Sequence, residues 1–105
     1  MTEKSRRQRL EEMLAEDPND PFLRYGLAME HAGSGAHEEA AGCLRELIRL
    51  HPDYVPAYFH ASKSLLELGR DGEAREVLRA GITAAAAKGD GHAAGEMEGL
   101  LDSIG

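Results

Sequence analysis

The sequence predicts an all-α fold of antiparallel helix–turn–helix repeats with a flanking helix at each end. Three observations carry that reading. Apolar residues recur at helical spacing through most of the 105-residue chain. Breaks rich in Gly and Pro (DPNDP at 17–21, GSG at 33–35, HPDY at 51–54, GRDG at 69–72, KGDGH at 88–92) divide it into pieces of helix length. The chain also repeats itself every 34 residues: Gly69 aligns with Gly35, Ala74 with Ala40, Leu78 with Leu44, Ile82 with Ile48 and Phe59 with Tyr25. One step further back, Leu44 falls on Leu10, Ile48 on Leu14 and Pro52 on Pro18. A fixed period of this size marks stacked units, none of which can bury its apolar face alone.

The first helix is expected over 3–16, with Leu10, Met13 and Leu14 as one apolar stripe. Glu3–Arg7 and Arg7–Glu11 support it as i,i+4 pairs. Its cations lead and its acids trail, against the helix dipole, so a frayed first turn is expected. Pro18 stops it; Asp20 caps the next helix and Pro21 suits its first turn. That helix runs over 21–32 with Leu23, Leu27 and Ala28 inward. The third, over 37–50, turns Ala40, Leu44, Leu47 and Ile48 inward. Pro52 breaks the chain and Asp53 is the expected cap of the fourth, over 55–68, whose inner stripe is Ala57, Tyr58, Ala61, Leu65 and Leu68. Asp71 is expected to cap the fifth, which carries Ala74, Leu78 and Ile82. Ala86 stands where the period would place a second proline, so this helix should run on to about Lys88. Asp90 caps the last helix, over 92–104, with Met97, Leu100, Leu101 and Ile104 on one face and Glu96, Glu98 and Asp102 elsewhere.

Bulk properties bound the function. A chain this long suits one domain. Net charge is −7, which argues against nucleic acid because phosphate binding needs surplus Lys and Arg. The single cysteine, Cys43, has no internal disulfide partner, as suits a reducing cytosol. No run of 18 apolar residues spans a membrane, and the N-terminus lacks the apolar core of a secretory signal, so the expected location is cytoplasmic.

The repeated residues resemble the tetratricopeptide repeat (TPR) family, whose pattern is W-x2-L-G-x2-Y, then A-x3-F, then P. The first copy supplies Arg24, Leu27, Ala28 and His31, then Ala40 and Leu44, then Pro52. The second supplies Tyr58, Ala61, Ser62 and Leu65, then Ala74 and Leu78, then Ala86. The small residues Ala28, Ala40, Ser62 and Ala74 match best; they suit sites where the two helices of a hairpin approach closely. The departures are Arg24 for the aromatic, His31 for Tyr and Ala86 for Pro. The resemblance, to short free-standing bacterial TPR proteins, implies a right-handed α-solenoid in one domain. Within 1–105 it implies a half-repeat-like helix over 1–17, repeats over 18–53 and 54–88, and a capping helix over 89–105.

No catalytic or metal-binding pattern competes with this reading. His31, His37, His51, His60 and His92 are scattered, without an H-E-x-x-H or a C-x-x-C. His31 fills a packing slot and Cys43 is a small helical residue. Gly33-x-Gly35 and Gly89-x-Gly91 follow no strand and are turn glycines, not phosphate loops. No carboxylate pair is singled out for acid–base work. The chain is therefore expected to be non-enzymatic and to need no cofactor or metal.

In the resembling fold the first helix of each repeat lines a concave groove. Phe22, Tyr25 and Met29 recur off the inner stripe, and Phe59, Lys63 and Leu66 take the matching face of the second copy. Solvent-facing aromatics in a chain poor in them suggest a binding surface. Tyr25, Met29, Phe59 and Lys63 are its expected centre, holding a peptide or helix of a partner protein, with Lys63 as an anion-selective contact. The Lys, Arg and Asn clamp by which some family members hold acidic chaperone tails is absent, which argues against a chaperone cofactor. The alternative is a self-associating structural unit such as a homodimer, which sedimentation at several concentrations would separate from the first reading.

Overall fold

The structure is a computed structural model that describes residues 4–104. The described residues form six helices: α1 (Arg6–Glu16), α2 (Pro21–Gly33), α3 (His37–Leu50), α4 (Val55–Glu67), α5 (Asp71–Ala87) and α6 (Gly91–Ser103). Each packs chiefly on its neighbours in the chain, and α6 also touches α4. The result is an elongated body of 49 × 28 × 19 Å. There is no β-structure among the described residues, and no described helix is long and apolar enough to cross a membrane.

The small residues expected between helices are buried there. Ala28, Ala40, Ser62 and Ala74 are all fully inaccessible. Ala28 clusters with Leu44, Leu47, Ala57 and Ala61. Ala41, Leu65 and Ala74 form a second contact between α3, α4 and α5. Gly35 and Gly69 close the intra-hairpin turns at φ 82° and 75°, which glycine reaches without a Cβ penalty.

Caps sharpen and correct the predicted boundaries. The Asp20 carboxylate accepts from the Phe22 and Leu23 amides, and that of Asp90 from Ala93. Asp53 and Asp71 are not caps. Tyr54 and Arg70 hold those positions without side-chain hydrogen bonds. Asp71 is instead the first residue of α5, where its charge, with Glu73, meets the helix dipole. α1 begins at Arg6, not at residue 3. Ser5 closes a capping box with Gln8, so the first turn is anchored where its charge order had suggested fraying. The Glu3–Arg7 pair lies outside the described residues, while Arg7–Glu11 is present at 3.8 Å. α5 runs to Ala87, as the missing proline predicts.

Three stripe assignments change. Met13 is 48% exposed, since α1 packs on α2 and the Met13 side faces away from it. Leu68 is only half-buried. Leu66, expected on the groove face, packs beside the Ala41, Leu65 and Ala74 contact.

The foot of each hairpin is tied at matching positions. The Arg24 guanidinium donates to the Pro18 carbonyl at 2.8 Å, and the Tyr58 hydroxyl to the Pro52 carbonyl at 2.6 Å. His51 Nε2 lies 3.0 Å from the Asn19 carbonyl oxygen, and Lys88 donates to that of Asp53. The ties orient α2 and α4 alike, so their outer faces are presented side by side.

Candidate groove on the first helices of the hairpins

The outer faces of α2, α4 and α6 border two shallow grooves. The larger, of about 390 Å³, runs between α4 and α6. Val55, Phe59 and Met97 give it an apolar floor, Lys63 stands on one wall, and Asp90 and Glu96 on the other. The smaller, of about 150 Å³, runs between α2 and α4 past Met29, His37, His60, Lys63 and Glu67. His60 and Lys63 line both and form the ridge between them.

The four expected residues are therefore divided. Phe59 lies in the larger groove, Met29 in the smaller, and Lys63 in both. Tyr25 lines neither; its ring packs 5.5 Å from that of Tyr54 and edge-on to His60 at 5.6 Å. Tyr25 and Met29 lean on the Ala28 and Leu44 cluster, and Phe59 on that of Val55 and Met97. Both aromatic rings are thus half in the core, more so than their place off the inner stripe implies. Phe22 is 72% exposed and borders neither groove.

Electrostatics set the character of the ridge. The Lys63 ammonium sits 5.3 Å from the centroid of the Phe59 ring, a cation–π contact. Phe59 also meets His60 edge-on at 5.6 Å. Burial first, and the nearby Lys63 charge second, hold His60 below its ordinary value. The imidazole is neutral at pH 7 and acts as a third ring between Tyr25 and Phe59. Asp90 and Glu96 stand across from Lys63, so the larger groove carries charge of both signs.

Sequence reasoning missed the α6 wall. His60 falls on the same helix faces as Tyr25, Met29 and Lys63, but nothing in its pattern gives it a role there. Asp90, Ala93 and Glu96 could be placed only once the packing of α6 against α5 was known. Among the described residues no cluster of His, Cys, Asp and Glu could hold a metal. Burial pushes the half-buried Cys43 thiol up, away from the reactive thiolate.

Helical hairpins stacked by small residues, with a grooved face on their first helices, define a helical-repeat protein. No family-level sequence profile matches the chain. A TPR repeat-containing protein of Pseudomonas aeruginosa is 32% identical over 95 residues, 90% of each chain. The chain belongs to the tetratricopeptide repeat family. Solved structures agree. A tetratricopeptide repeat domain protein from Salinibacter ruber is 32% identical with a TM-score of 0.78, over 83% of this chain and 88% of that one. A Bordetella parapertussis protein reaches 0.83 at 27% identity, over 97% and 89%. The TPR2B domain of yeast Sti1, solved in a complex with pHsp70, reaches 0.87 at 23% identity, over 93% and 78%, a likeness of fold.

Proposed function

We propose that the protein is a non-catalytic interaction module that holds a short segment of a partner protein along the α2, α4 and α6 face. The observation that carries this is the ridge of His60 and Lys63 between two open grooves, the larger floored by Val55, Phe59 and Met97 and the smaller a more polar one beside Met29. The family's fold supports the same reading, since a TPR domain of similar fold is known in a protein complex. Phe59 and Met29 are the apolar anchors, and Lys63 sets register opposite Asp90 and Glu96 on the far wall. Tyr25 acts from behind by fixing His60. The mixed charge of the larger groove suits a largely apolar segment better than an acidic tail.

The hairpins over 18–53 and 54–88 form the scaffold in this reading, and 89–105 has two roles. It covers the end of the second hairpin through Met97, and it supplies the second groove wall. Affinity capture from a lysate of the native host tests the proposal. A partner retained by the wild type should be lost by Phe59→Ala, with affinity down about 5- to 30-fold for a truncated anchor. Lys63→Glu, on an exposed side chain, should weaken capture without a change in melting. Capture unchanged in both variants would move the binding surface elsewhere.

A further inference from the structure

We propose that copies of this chain associate end to end, α6 of one copy packing on α1 of the next to complete a helical hairpin. The two full hairpins supply the template. In each, a small residue of the first helix and a small residue of the second are fully buried, Ala28 and Ala40 in the first and Ser62 and Ala74 in the second. Position 81 lies against position 58, since a Cβ on Gly81 would fall 2.5 Å from that of Tyr58.

The outermost described helices, α1 and α6, hold the places of the two halves of one further hairpin. By the 34-residue period α1 is a second helix, and Arg6, Leu10 and Met13 hold the places of Ala40, Leu44 and Leu47. α6 is a first helix with a changed register. It opens 36 residues after α4, Gly91 against Val55, because α5 is longer than α3. Ala94, Met97, Glu98 and Leu101 therefore hold the places of Tyr58, Ala61, Ser62 and Leu65. Burial bears this register out. Met97 is 1% exposed, as befits the place of Ala61, whereas the unshifted period would put it in the place of exposed Lys63. Glu98, in the place of fully buried Ser62, is exposed; Ala94 and Leu101 are half-buried, leaning on the Val55 and Met97 cluster with their outer sides open.

The two open faces are complementary. On α1, Arg6, Arg9, Leu10 and Met13 line an open groove of about 300 Å³. In the template register Met13 meets Ala94, large against small as Tyr58 meets Gly81. Arg6 faces Glu98 where the full hairpins place two small residues. Arg6 holds Glu30 within the chain at 3.1 Å, while Arg9 and Glu98 have no ion-pair partner among the described residues. Two basic α1 faces repel, as do two acidic α6 faces. The contact is therefore head-to-tail and not a two-fold dimer. Charges at the point of closest approach keep it looser than an internal hairpin, so association is weak and salt-sensitive.

Sedimentation velocity over a concentration series, at low and high salt, tests this. The wild type should sediment faster as concentration rises, and high salt should suppress the effect. Glu98→Arg, on an exposed side chain, should raise the dissociation constant about tenfold or more, as should Arg6→Glu with Arg9→Glu. Mixing those two variants should restore association, because each end then meets one of opposite sign. A chain that stays monomeric at all concentrations overturns the proposal. So does association that survives either charge reversal, or two weakened variants that fail to recover on mixing.

Discussion

The two copies of the repeat solve one packing problem in opposite ways. In the first, Arg24 on α2 reaches back to the Pro18 carbonyl, and Leu47 on α3 supplies buried bulk at the hairpin contact. In the second, Tyr58 on α4 makes the equivalent bond to the Pro52 carbonyl with its hydroxyl. Its ring fills the space, and the place of Leu47 falls to Gly81, packed against both Tyr58 and Met97. The tie is kept; the volume moves from one helix to the other. The first solution leaves Arg24 Nε buried without a hydrogen-bond partner among the described residues, whereas Tyr58 satisfies its single polar group. A repeat therefore constrains total volume and one hydrogen bond, and leaves residue identity free.

The sharpest way to break this comparison is to change the exchanged position in each copy. Leu47→Ala removes fully buried volume and should cost about 2–5 kcal/mol of stability, read from denaturant unfolding. At the same slot in the second copy, Gly81→Ala adds one methyl where the gap is already filled. Its Cβ would fall 2.6 Å from Met97 Sδ as well as 2.5 Å from Tyr58 Cβ. It should cost about 1–3 kcal/mol, against the gain alanine usually brings inside a helix. If Gly81→Ala stabilises the protein, the volume exchange is wrong.

Tyr25 and Phe59 sharpen it further, being copies of one position with different surroundings. Tyr25 touches two rings, Tyr54 and His60. Phe59 touches His60 and carries the Lys63 ammonium. Each truncation to Ala should cost about 1–2 kcal/mol, through lost aromatic pairing and partial burial. Only Phe59→Ala should also remove partner binding. A Tyr25→Ala protein that melts as the wild type would show that the ring is not a support.

The smallest effect concerns His60. Its folded value lies below the ordinary 6.5, so the unfolded chain binds the proton more readily. Its contribution is fully present above pH 6.5 and is lost as pH falls through the folded value. The melting temperature should therefore drop between about pH 7.5 and about pH 5.5, by less in His60→Gln than in the wild type. An identical drop in both would assign the acid sensitivity to other groups.

What the sequence determined by itself is whatever depends on local chemistry and on period. The 34-residue spacing set the hairpins, Gly35 and Gly69 marked their turns, and the small residues at 28, 40, 62 and 74 marked the close contacts. Asp20 and Asp90 were legible as caps, and Ala86 as the reason α5 runs on. Of the candidate site, Phe59, Met29 and Lys63 could be placed on the grooved face because α2 and α4 keep one register. Tertiary structure decided the rest. Helical spacing says which residues share a face but not what comes to lie over it, so Met13 read as core and proved exposed. The extra turn of α5 moved α6 by two residues against the repeat. Met97 fell inward and Glu98 outward as helical spacing had placed them, but only the packing of α6 made Asp90 and Glu96 the far wall of a groove. His60 became the centre of the ridge because Tyr25 and Phe59, 34 residues apart in sequence, close on it from two helices, and only packing brings those rings together.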